Sequence, residues 1–368
     1  MHIGIDARFI QWQNTGVGNY LVNLLKGLSR IDRVNTYSIF LSKVNCNGKI
    51  PEVDNFSVRA NPAHSLIWKN VWLPREVRKA GIDVVHFPAY TGSFISVGRN
   101  VVTIHDLIHK VNPEWFSRRE LLLIDLPVSN GIRKANKIIT VSESAKRDVM
   151  KYYGVKDEDI AVTLEAADVS FRPIQDTLLL ENLKKKYTID TEFILYVGVL
   201  FKRRNIARLL EAFTMLREDK NIKHKLVIAG PGKKYFSLDQ LIDKFGIRND
   251  VIYLGYVEQD DLPLLYNAAS FFVYPSLYEG FGLPVLEAMS CAKAVITSNV
   301  SSLPEVIGDA GLLIDPVNTE ELYHALYLLS KNTVLREKLG AMALERSKLF
   351  SWDEMARQTV KVYEKAVK

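Results

Sequence analysis

Two glutamates, Glu279 and Glu287, bracket a glycine-containing segment whose residue types suit a phosphorylated ligand. The segment Gly280-Phe281-Gly282-Leu283-Pro284 follows Phe271–Tyr274, an apolar run typical of a buried strand. Pro284 suits the first position of a helix, where a missing N–H costs nothing. The backbone amides just before it would then lie at a helix N-terminus, where they can bind an oxyanion.

The two carboxylates suit different parts of such a ligand. Glu287 lies three residues past Pro284, or about one turn (~5 Å) along a helix, close to the separation between the diphosphate and the ribose hydroxyls of a nucleotide. A carboxylate repels phosphate but accepts two hydrogen bonds from a diol, so we predict that Glu287 binds the ribose. Glu279 would face the other end of the diphosphate, where a sugar is attached. The alternative is one capping acid and one helix-surface acid.

Two further loops suit an anion. Arg203 and Arg204 follow the apolar run Phe193–Val197 and precede an amphipathic helix that begins near Asn205. Guanidinium groups and helix amides there would act together on a phosphate, although a solvated basic turn is the alternative. Gly230 follows Lys225–Ala229 and starts a Gly-Pro-Gly-Lys-Lys loop that permits close backbone approach.

The first predicted strand is followed by Thr15-Gly16-Val17-Gly18-Asn19-Tyr20, which opens a helix and offers its amides to a phosphate. This loop lacks the spacing of a dinucleotide fingerprint, because Leu21 takes the place of the third glycine. The second strand also ends Leu41-Ser42-Lys43, with no acid for a ribose. A dinucleotide-dependent oxidoreductase is therefore disfavoured, and a plain tight turn remains the alternative for the loop.

His105 follows the apolar run Val101–Ile104, so we expect it at the carboxyl end of a strand. His109 lies four residues further on, a spacing that binds metal when both residues share a helix. His105 belongs to a strand end and no third ligand is evident, so no metal is predicted. Asp260-Asp261 precedes a Leu-Pro helix start and is interpreted as a cap. Cys46 and Cys291 are the only cysteines, and we interpret both as small core residues.

The elements that position these residues have the same order in both halves of the 368-residue chain. Short β-branched runs alternate with amphipathic helical patterns, which predicts βαβ units and parallel sheets with both faces covered, an α/β fold. The predicted strands are His2–Asp6, Tyr37–Leu41, Phe56–Arg59, Asp83–Phe87, Val101–His105 and Lys137–Val141, then Phe193–Val197, Lys225–Ala229, Val251–Leu254, Phe271–Tyr274, Ala294–Thr297 and Gly311–Ile314. We place the domain boundary between residues 172 and 173, and a last helix at 352–368 capped by Ser351.

At this point the chain resembles the retaining glycosyltransferases of family 4. The segment E-G-F-G-L-P-V-L-E carries the resemblance, together with G-I-D-A-R, T-I-H-D-L, V-S-E-S-A-K-R-D, Y-V-G-V-L-F-K-R-R-N, S-S-L-P-E-V-I-G-D-A-G-L-L-I-D-P and F-S-W-D-E-M-A in the same order. The resemblance implies the GT-B fold: two facing Rossmann-like domains, 1–172 on the acceptor side and 173–351 on the nucleotide-sugar side, with an interdomain cleft. It also implies that helix 352–368 packs back on the first domain.

The resemblance assigns roles residue by residue. His105 and Glu279 would lie beside the donor sugar as catalytic-site groups. Arg203 and Arg204 would neutralise the diphosphate, with Arg204 in place of the family's usual lysine, and Glu287 would bind the ribose. The donor-binding set is Gly16, Val17, Arg203, Arg204, Gly230, Gly280, Phe281, Gly282, Leu283 and Glu287. Val199 stands where the family often has an arginine, so one phosphate contact is missing or comes from elsewhere.

The reaction implied is transfer of a hexose with retention of configuration, without a metal or other cofactor. The opening segments resemble bacterial mannosyltransferases of cell-surface polysaccharide and lipopolysaccharide synthesis. GDP-mannose is therefore the first expectation and a UDP-linked hexose the next, with a glycan or lipid-linked acceptor. A catalytically inactive sugar-nucleotide-binding scaffold is the alternative from another class, disfavoured because Glu279, Glu287, His105 and the arginine pair are all present.

The charge and the hydropathy of the sequence limit the kinds of partner that we expect for this protein. Residues 1–170 hold 22 Lys and Arg against 17 Asp and Glu, an excess that favours contact with an anionic membrane, although an ordinary solvated surface is the alternative. The excess is too small and dispersed to predict nucleic-acid binding. No run reaches the ~18 apolar residues of a membrane span and no signal peptide is evident, so we expect a cytoplasmic protein, at most peripheral on the inner face of the membrane.

Overall fold

A computed structural model describes residues 1–11, 16–42, 48–62, 67–232 and 237–368 of the chain. They form two compact units: unit 1 comprises Met1–Glu165 and Ser351–Lys368, and unit 2 comprises Ala166–Phe350. Thr15, Lys43, Cys46, Lys233 and Lys234, which the sequence analysis considered, lie outside the described residues.

Unit 1 is built on a parallel sheet with the strand order β3-β2-β1-β4-β5-β6-β7 in the described residues. Its strands are β1 His2–Asp6, β2 Thr36–Leu41, β3 Phe56–Ala60, β4 Val84–Phe87, β5 Asn100–Ile104, β6 Lys137–Thr140 and β7 Ile160–Val162. Its helices before the C-terminal one are α1 Gly16–Ile31, α2 Leu73–Ala80, α3 Ile108–Val111, α4 Arg118–Lys134 and α5 Glu143–Tyr153, with a π-helical turn at Trp68–Trp72 and 3-10 turns at Arg8–Gln11, Pro113–Trp115 and Asp157–Asp159. The central strands are buried along their whole length, which explains their nearly continuous apolar sequence.

Unit 2 repeats this arrangement with the strand order β10-β9-β8-β11-β12-β13, again parallel. Its strands are β8 Phe193–Val197, β9 Lys225–Ala229, β10 Val251–Gly255, β11 Phe271–Tyr274, β12 Val295–Ser298 and β13 Leu312–Ile314. Its helices are α6 Thr177–Lys186, α7 Ile206–Leu216, α8 Leu238–Phe245, α9 Leu262–Ala268, α10 Leu283–Ser290, α11 Leu303–Ile307, α12 Thr319–Lys331 and α13 Thr333–Ser347, with a 3-10 turn at Lys202–Arg204. The sequence pattern of α7 places Ile206, Leu209, Leu210, Phe213 and Leu216 on one face, and all five are buried.

The last helix, α14 (Trp352–Val367), belongs to unit 1. The Ser351 hydroxyl accepts a hydrogen bond from the Glu354 amide (3.4 Å) and caps the helix. Tyr363 is buried, and its hydroxyl lies 2.7 Å from Nδ1 of His86 on β4. Burial lowers the pKa of His86 to about 3, so this histidine is neutral and attaches the helix to the sheet through a hydrogen bond without a charge.

The predicted strands lie within one residue of their observed bounds, and the differences are elsewhere. The three-residue β7 was not predicted, because it is too short to show a pattern. The observed division falls after Glu165, before the expected boundary at residue 172. Contacts to unit 2 hold the end of the segment 166–172: the Asn267 side chain donates to the Arg172 carbonyl (2.9 Å), and Phe171 packs edge-on against Tyr266.

Candidate active site

The strand order reverses at one place in each sheet. β8 lies between β9 and β11 in unit 2, and β1 lies between β2 and β4 in unit 1. Open parallel sheets bind ligands beyond the carboxyl ends of the strands beside such a reversal. The candidate residues Arg204, Gly230 and Glu279 follow β8, β9 and β11 respectively, so the fold of unit 2 brings three separate parts of the sequence to one edge.

Glu279 is buried (6% exposed) and held on several sides. Its Oε1 accepts hydrogen bonds from the hydroxyls of Ser276 (2.6 Å) and Tyr274 (3.2 Å). Its backbone amide donates to the Ser301 hydroxyl (2.9 Å), and its carbonyl accepts from the Ser302 hydroxyl (3.0 Å). The carboxylate therefore occupies a fixed position at the carboxyl edge of the sheet.

Arg204 forms an ion pair with the Glu279 carboxylate and also donates to the Tyr274 hydroxyl. Its guanidinium lies 5.1 Å from the centre of the Tyr274 ring. Arg203 lies over Phe201, 5.0 Å from the ring centre, and its carbonyl accepts from the Leu277 amide (2.8 Å), which ties the loop after β8 to the loop after β11. The sequence suggested separate roles for the arginines and Glu279, whereas the structure joins Arg204 and Glu279 in one polar cluster.

The glycine segment opens α10 as expected, with two differences. The helix begins at Leu283, so Pro284 occupies its second position rather than the predicted first. Gly282 caps the helix with φ +117°, and a Cβ there would lie 2.8 Å from the Leu303 side chain, so glycine is required. Phe281 is 4% exposed and packs edge-on against Phe350. Its carbonyl accepts from the Ser302 hydroxyl (2.6 Å), so its backbone amide is the group that would meet a ligand.

Glu287 lies in the second turn of α10, and its Oε2 accepts a hydrogen bond from the Tyr266 hydroxyl (2.9 Å). Burial raises the pKa of Glu287 to about 7, and the nearby Asp168 carboxylate adds to the rise while the Tyr266 hydroxyl opposes it. This carboxyl group therefore titrates near neutral pH. Glu287 is half-buried, and a diol that donates to its ionised form would favour loss of the proton.

Gly230 and Gly16 differ in what their surroundings require. Gly230 has φ +137°, and a Cβ there would lie 2.1 Å from the Gly198 carbonyl oxygen, so packing between the ends of β8 and β9 demands glycine. A Cβ on Gly16, the first residue of α1, would meet nothing within 4 Å. Gly16 is exposed and Val17 is half-buried. Packing therefore accounts for Gly230 but not for Gly16.

His105 lies at the carboxyl end of β5 in unit 1 and is 6% exposed. Its Nε2 lies 2.8 Å from the Pro88 carbonyl, so Nε2 carries a proton. Its Nδ1 lies 3.5 Å from Oε1 of the buried Glu165. Tyr20 packs edge-on against the ring at 4.8 Å, and Tyr90 lies 5.5 Å away. Both ring nitrogens thus face partners inside unit 1.

The described residues contain no cluster of three or more His, Cys, Asp or Glu side chains suited to a metal ion. His109 lies on α3, and its Nε2 is 3.5 Å from Asp125 Oδ1 and 3.4 Å from the Tyr153 hydroxyl. Burial lowers the pKa of His109, although Asp125 opposes the change. His109 therefore has side-chain partners of its own, Asp125 and Tyr153, within unit 1.

Sequence reasoning missed several neighbours of the candidate residues. Tyr274 ends β11 and Ser276 lies between that strand and Glu279, so their closeness in the sequence was a usable signal. Tyr266 and Glu165 had no such signal, because each comes from a segment distant in sequence from the carboxyl or imidazole group that it contacts.

Comparison with known proteins places the chain in a family. A family model described as glycosyl transferases group 1 matches residues 181–346, and one described as Glycosyltransferase Family 4 matches residues 14–171. O-antigen chain mannosyltransferase B of Escherichia coli is 30% identical over 374 residues, covering 96% of this chain and 97% of that protein. Serotype-specific mannosyltransferase WbdA, also of Escherichia coli, is 31% identical over 270 residues, covering 71% of this chain and 33% of that protein. The crystal structure of Anabaena HepE in complex with UDP and glucose matches with a TM-score of 0.76 at 20% identity, covering 98% of both chains.

The two Rossmann-like units and these matches define the class: the chain is a glycosyltransferase with the GT-B fold. More narrowly, it belongs to the group 1 glycosyl transferases, and its relatives include bacterial mannosyltransferases of O-antigen synthesis.

Proposed function

We propose that the chain is a retaining hexosyltransferase that moves mannose from GDP-mannose to a glycan or lipid-linked acceptor. The observation that carries the proposal is the cluster of Glu279, Arg204, Tyr274 and Ser276 at the reversal point of unit 2. In this cluster the fixed carboxylate of Glu279 can accept hydrogen bonds from sugar hydroxyls, and the cation of Arg204 can bind phosphate. The mannose assignment is supported by relatives that are mannosyltransferases.

In the proposed reaction the bond between the anomeric carbon and the donor phosphate breaks as the acceptor hydroxyl attacks from the same face. The leaving phosphate takes the proton of that hydroxyl. Arg203, Arg204 and the amides at the start of α10 offset the negative charge that develops on the diphosphate. Glu287 binds the ribose, and Glu279 orients the sugar. No metal or other cofactor is required, because fixed cations and dipoles provide the charge stabilisation.

The test measures transfer and donor hydrolysis with a panel of GDP- and UDP-linked sugars, with and without excess EDTA. We expect GDP-mannose to be the preferred donor and activity to survive EDTA. NMR of the product should show the anomeric configuration of the donor. An inverted product would refute the retaining mechanism, and activity lost in EDTA and restored by a divalent ion would refute the metal-independent one.

We also propose peripheral contact with an anionic membrane through unit 1. None of the helices in the described part of the chain is long and apolar enough to cross a bilayer. The first half of α4, however, exposes Leu122 (70%), Leu123 (64%) and Leu126 (58%) next to exposed Arg118 and Arg119. Apolar side chains beside cations suit the surface of an anionic bilayer.

Vesicle sedimentation tests the membrane proposal. Replacing Leu122, Leu123 and Leu126 with Ser should weaken binding to vesicles that contain phosphatidylglycerol. A higher salt concentration should weaken binding of the wild type, because salt screens the electrostatic attraction to anionic lipid beyond ~8–10 Å. Leu178→Ser is the control, since Leu178 is equally exposed (69%) but lies in unit 2. Equal binding of the wild type to neutral and anionic vesicles would contradict the proposal.

A further inference from the structure

A buried lysine in unit 1 has a neutral hydrogen-bond acceptor and no adjacent carboxylate. Lys69 lies in the π-helical turn Trp68–Trp72 and is 7% exposed. Its Nζ donates to the Thr91 hydroxyl at 2.6 Å, and in the described parts of the chain no carboxylate lies within 4 Å of it. A buried ammonium is costly unless a negative charge offsets its lost hydration. Among the described residues, no carboxylate contacts the Lys69 ammonium to provide that charge.

The neighbouring charges do not neutralise Lys69. Asp6 and Arg8 form a bidentate pair, with Nε 2.9 Å from Oδ1 and Nη2 2.7 Å from Oδ2. The Arg8 guanidinium also lies over Trp68, 4.2 Å from the ring centre. Because the Asp6 carboxylate already accepts both hydrogen bonds of this bidentate pair, it is not a dedicated counter-ion for the Lys69 ammonium. Burial lowers the pKa of Lys69 to about 8, with Asp6 opposing and Arg8 reinforcing the change, so Lys69 is mainly protonated at neutral pH.

This group lies where a parallel sheet is expected to bind a ligand. Asp6 is the last residue of β1, and Thr91 follows the end of β4. β1 and β4 are neighbours at the reversal point of unit 1, and the crevice beyond the carboxyl ends of such strands binds ligands in open α/β sheets. The residues assigned to the donor sugar and nucleotide do not include any member of this group.

We propose that Lys69 and Thr91, backed by the Asp6–Arg8 pair, form a subsite for an oxyanion of the acceptor, either a phosphate or a carboxylate. The assignment to the acceptor rests on the proposed function, in which unit 2 holds most of the nucleotide contacts. Lys69 supplies the charge. The Thr91 hydroxyl accepts from Lys69 and donates its own proton to the oxyanion. The Asp6–Arg8 pair positions Trp68 and the π-helical turn that carries Lys69.

Lys69→Met tests the subsite in the full-length protein. Methionine has a similar shape without the charge, so the variant should unfold at the same temperature as the wild type or higher. The KM for the acceptor should rise by about tenfold or more, the loss expected for one charge-assisted hydrogen bond, while the KM for the donor stays unchanged. Lys293→Met is the matched control: Nζ of Lys293 donates to the carbonyls of Asn267 (2.6 Å) and Ala269 (3.1 Å) in unit 2. That variant should lose stability and keep the acceptor KM.

Direct binding separates this proposal from the proposed function. The protein, saturated with GDP, is titrated by calorimetry with inorganic pyrophosphate and, separately, with glucuronate. Wild type should bind pyrophosphate if the acceptor group is a phosphate and glucuronate if it is a carboxylate. Lys69→Met and Thr91→Val should weaken that binding, and Lys69→Arg should retain it. Absence of binding in the wild type, wild-type binding in Lys69→Met, or a raised donor KM would overturn the proposal. Failure of every donor in the transfer assay would refute the proposed function and leave this test valid.

Discussion

The pairing of Arg204 with Glu279 predicts that Glu279→Gln separates chemistry from nucleotide binding. Glutamine keeps the shape and the hydrogen bond from Ser276 but removes the charge that pairs with Arg204. Contacts that stabilise a transition state of this kind are worth ~10²–10³ in turnover. We therefore expect kcat to fall by about that factor.

Affinity for a nucleoside diphosphate should change in the opposite direction. In the proposed reaction the donor phosphate competes with Glu279 for Arg204, and the variant removes the Glu279 charge from this competition. A hydrogen bond to a charged group is worth ~1.5–3 kcal/mol, and 1.4 kcal/mol corresponds to about tenfold in affinity. GDP should therefore bind Glu279→Gln about tenfold more tightly than it binds the wild type, as measured by calorimetry.

Two measurements make this prediction decisive. Ser276→Ala removes one hydrogen bond to Glu279 and leaves the ion pair, so GDP affinity in that control should stay near the wild-type value. Thermal unfolding of Glu279→Gln with saturating GDP checks that the variant is folded. A folded variant in which GDP affinity falls along with kcat would falsify the competition between phosphate and Glu279.

Two further predictions follow from the site. Burial raises the pKa of Glu287 from its ordinary 4.5 to about 7, so the folded protein retains a proton that the unfolded chain has released between these values. The contribution of Glu287 to stability therefore falls as pH rises from about 4.5 to about 7. The free energy of unfolding, measured with urea across this pH range, should show this loss in the wild type relative to Glu287→Gln. Identical pH profiles for the two proteins would contradict the raised pKa. Gly16→Ala should leave the unfolding temperature unchanged and weaken donor binding, whereas Gly230→Ala should unfold at markedly lower temperature because its Cβ would overlap the Gly198 carbonyl. A stable Gly16→Ala variant with wild-type donor affinity would remove Gly16 from the donor site.

Local patterns determined most of the fold. The strands other than β7 were predictable from short apolar and β-branched runs, and those buried on both faces, such as β4 and β5, have nearly continuous apolar sequences. The capping residue Ser351 and the helical spacing of Trp352, Met355, Val362 and Ala366 identified the last helix, because both are local patterns. The short β7 was not predictable, because three residues are too few to establish a period.

The sequence also determined the candidate residues, since Glu279, Arg204 and His105 follow strand ends and Glu287 lies in the helix that the glycine segment opens. Their partners were decided by the tertiary structure. The sheet order places the loop after β8 against the loop after β11, and only then does Arg204 meet Glu279.

The same holds for the residues that tune the site. Glu165 reaches His105 because β7 joins the sheet two strands from β5, and Tyr266 reaches Glu287 because α9 packs beside α10. Lys69 had no distinguishing pattern in the sequence; its significance comes from burial without a carboxylate within reach. The sequence by itself specified elements and candidate groups, because these depend on neighbours along the chain, whereas tertiary packing decided charge pairing and pKa shifts, because these depend on neighbours in space.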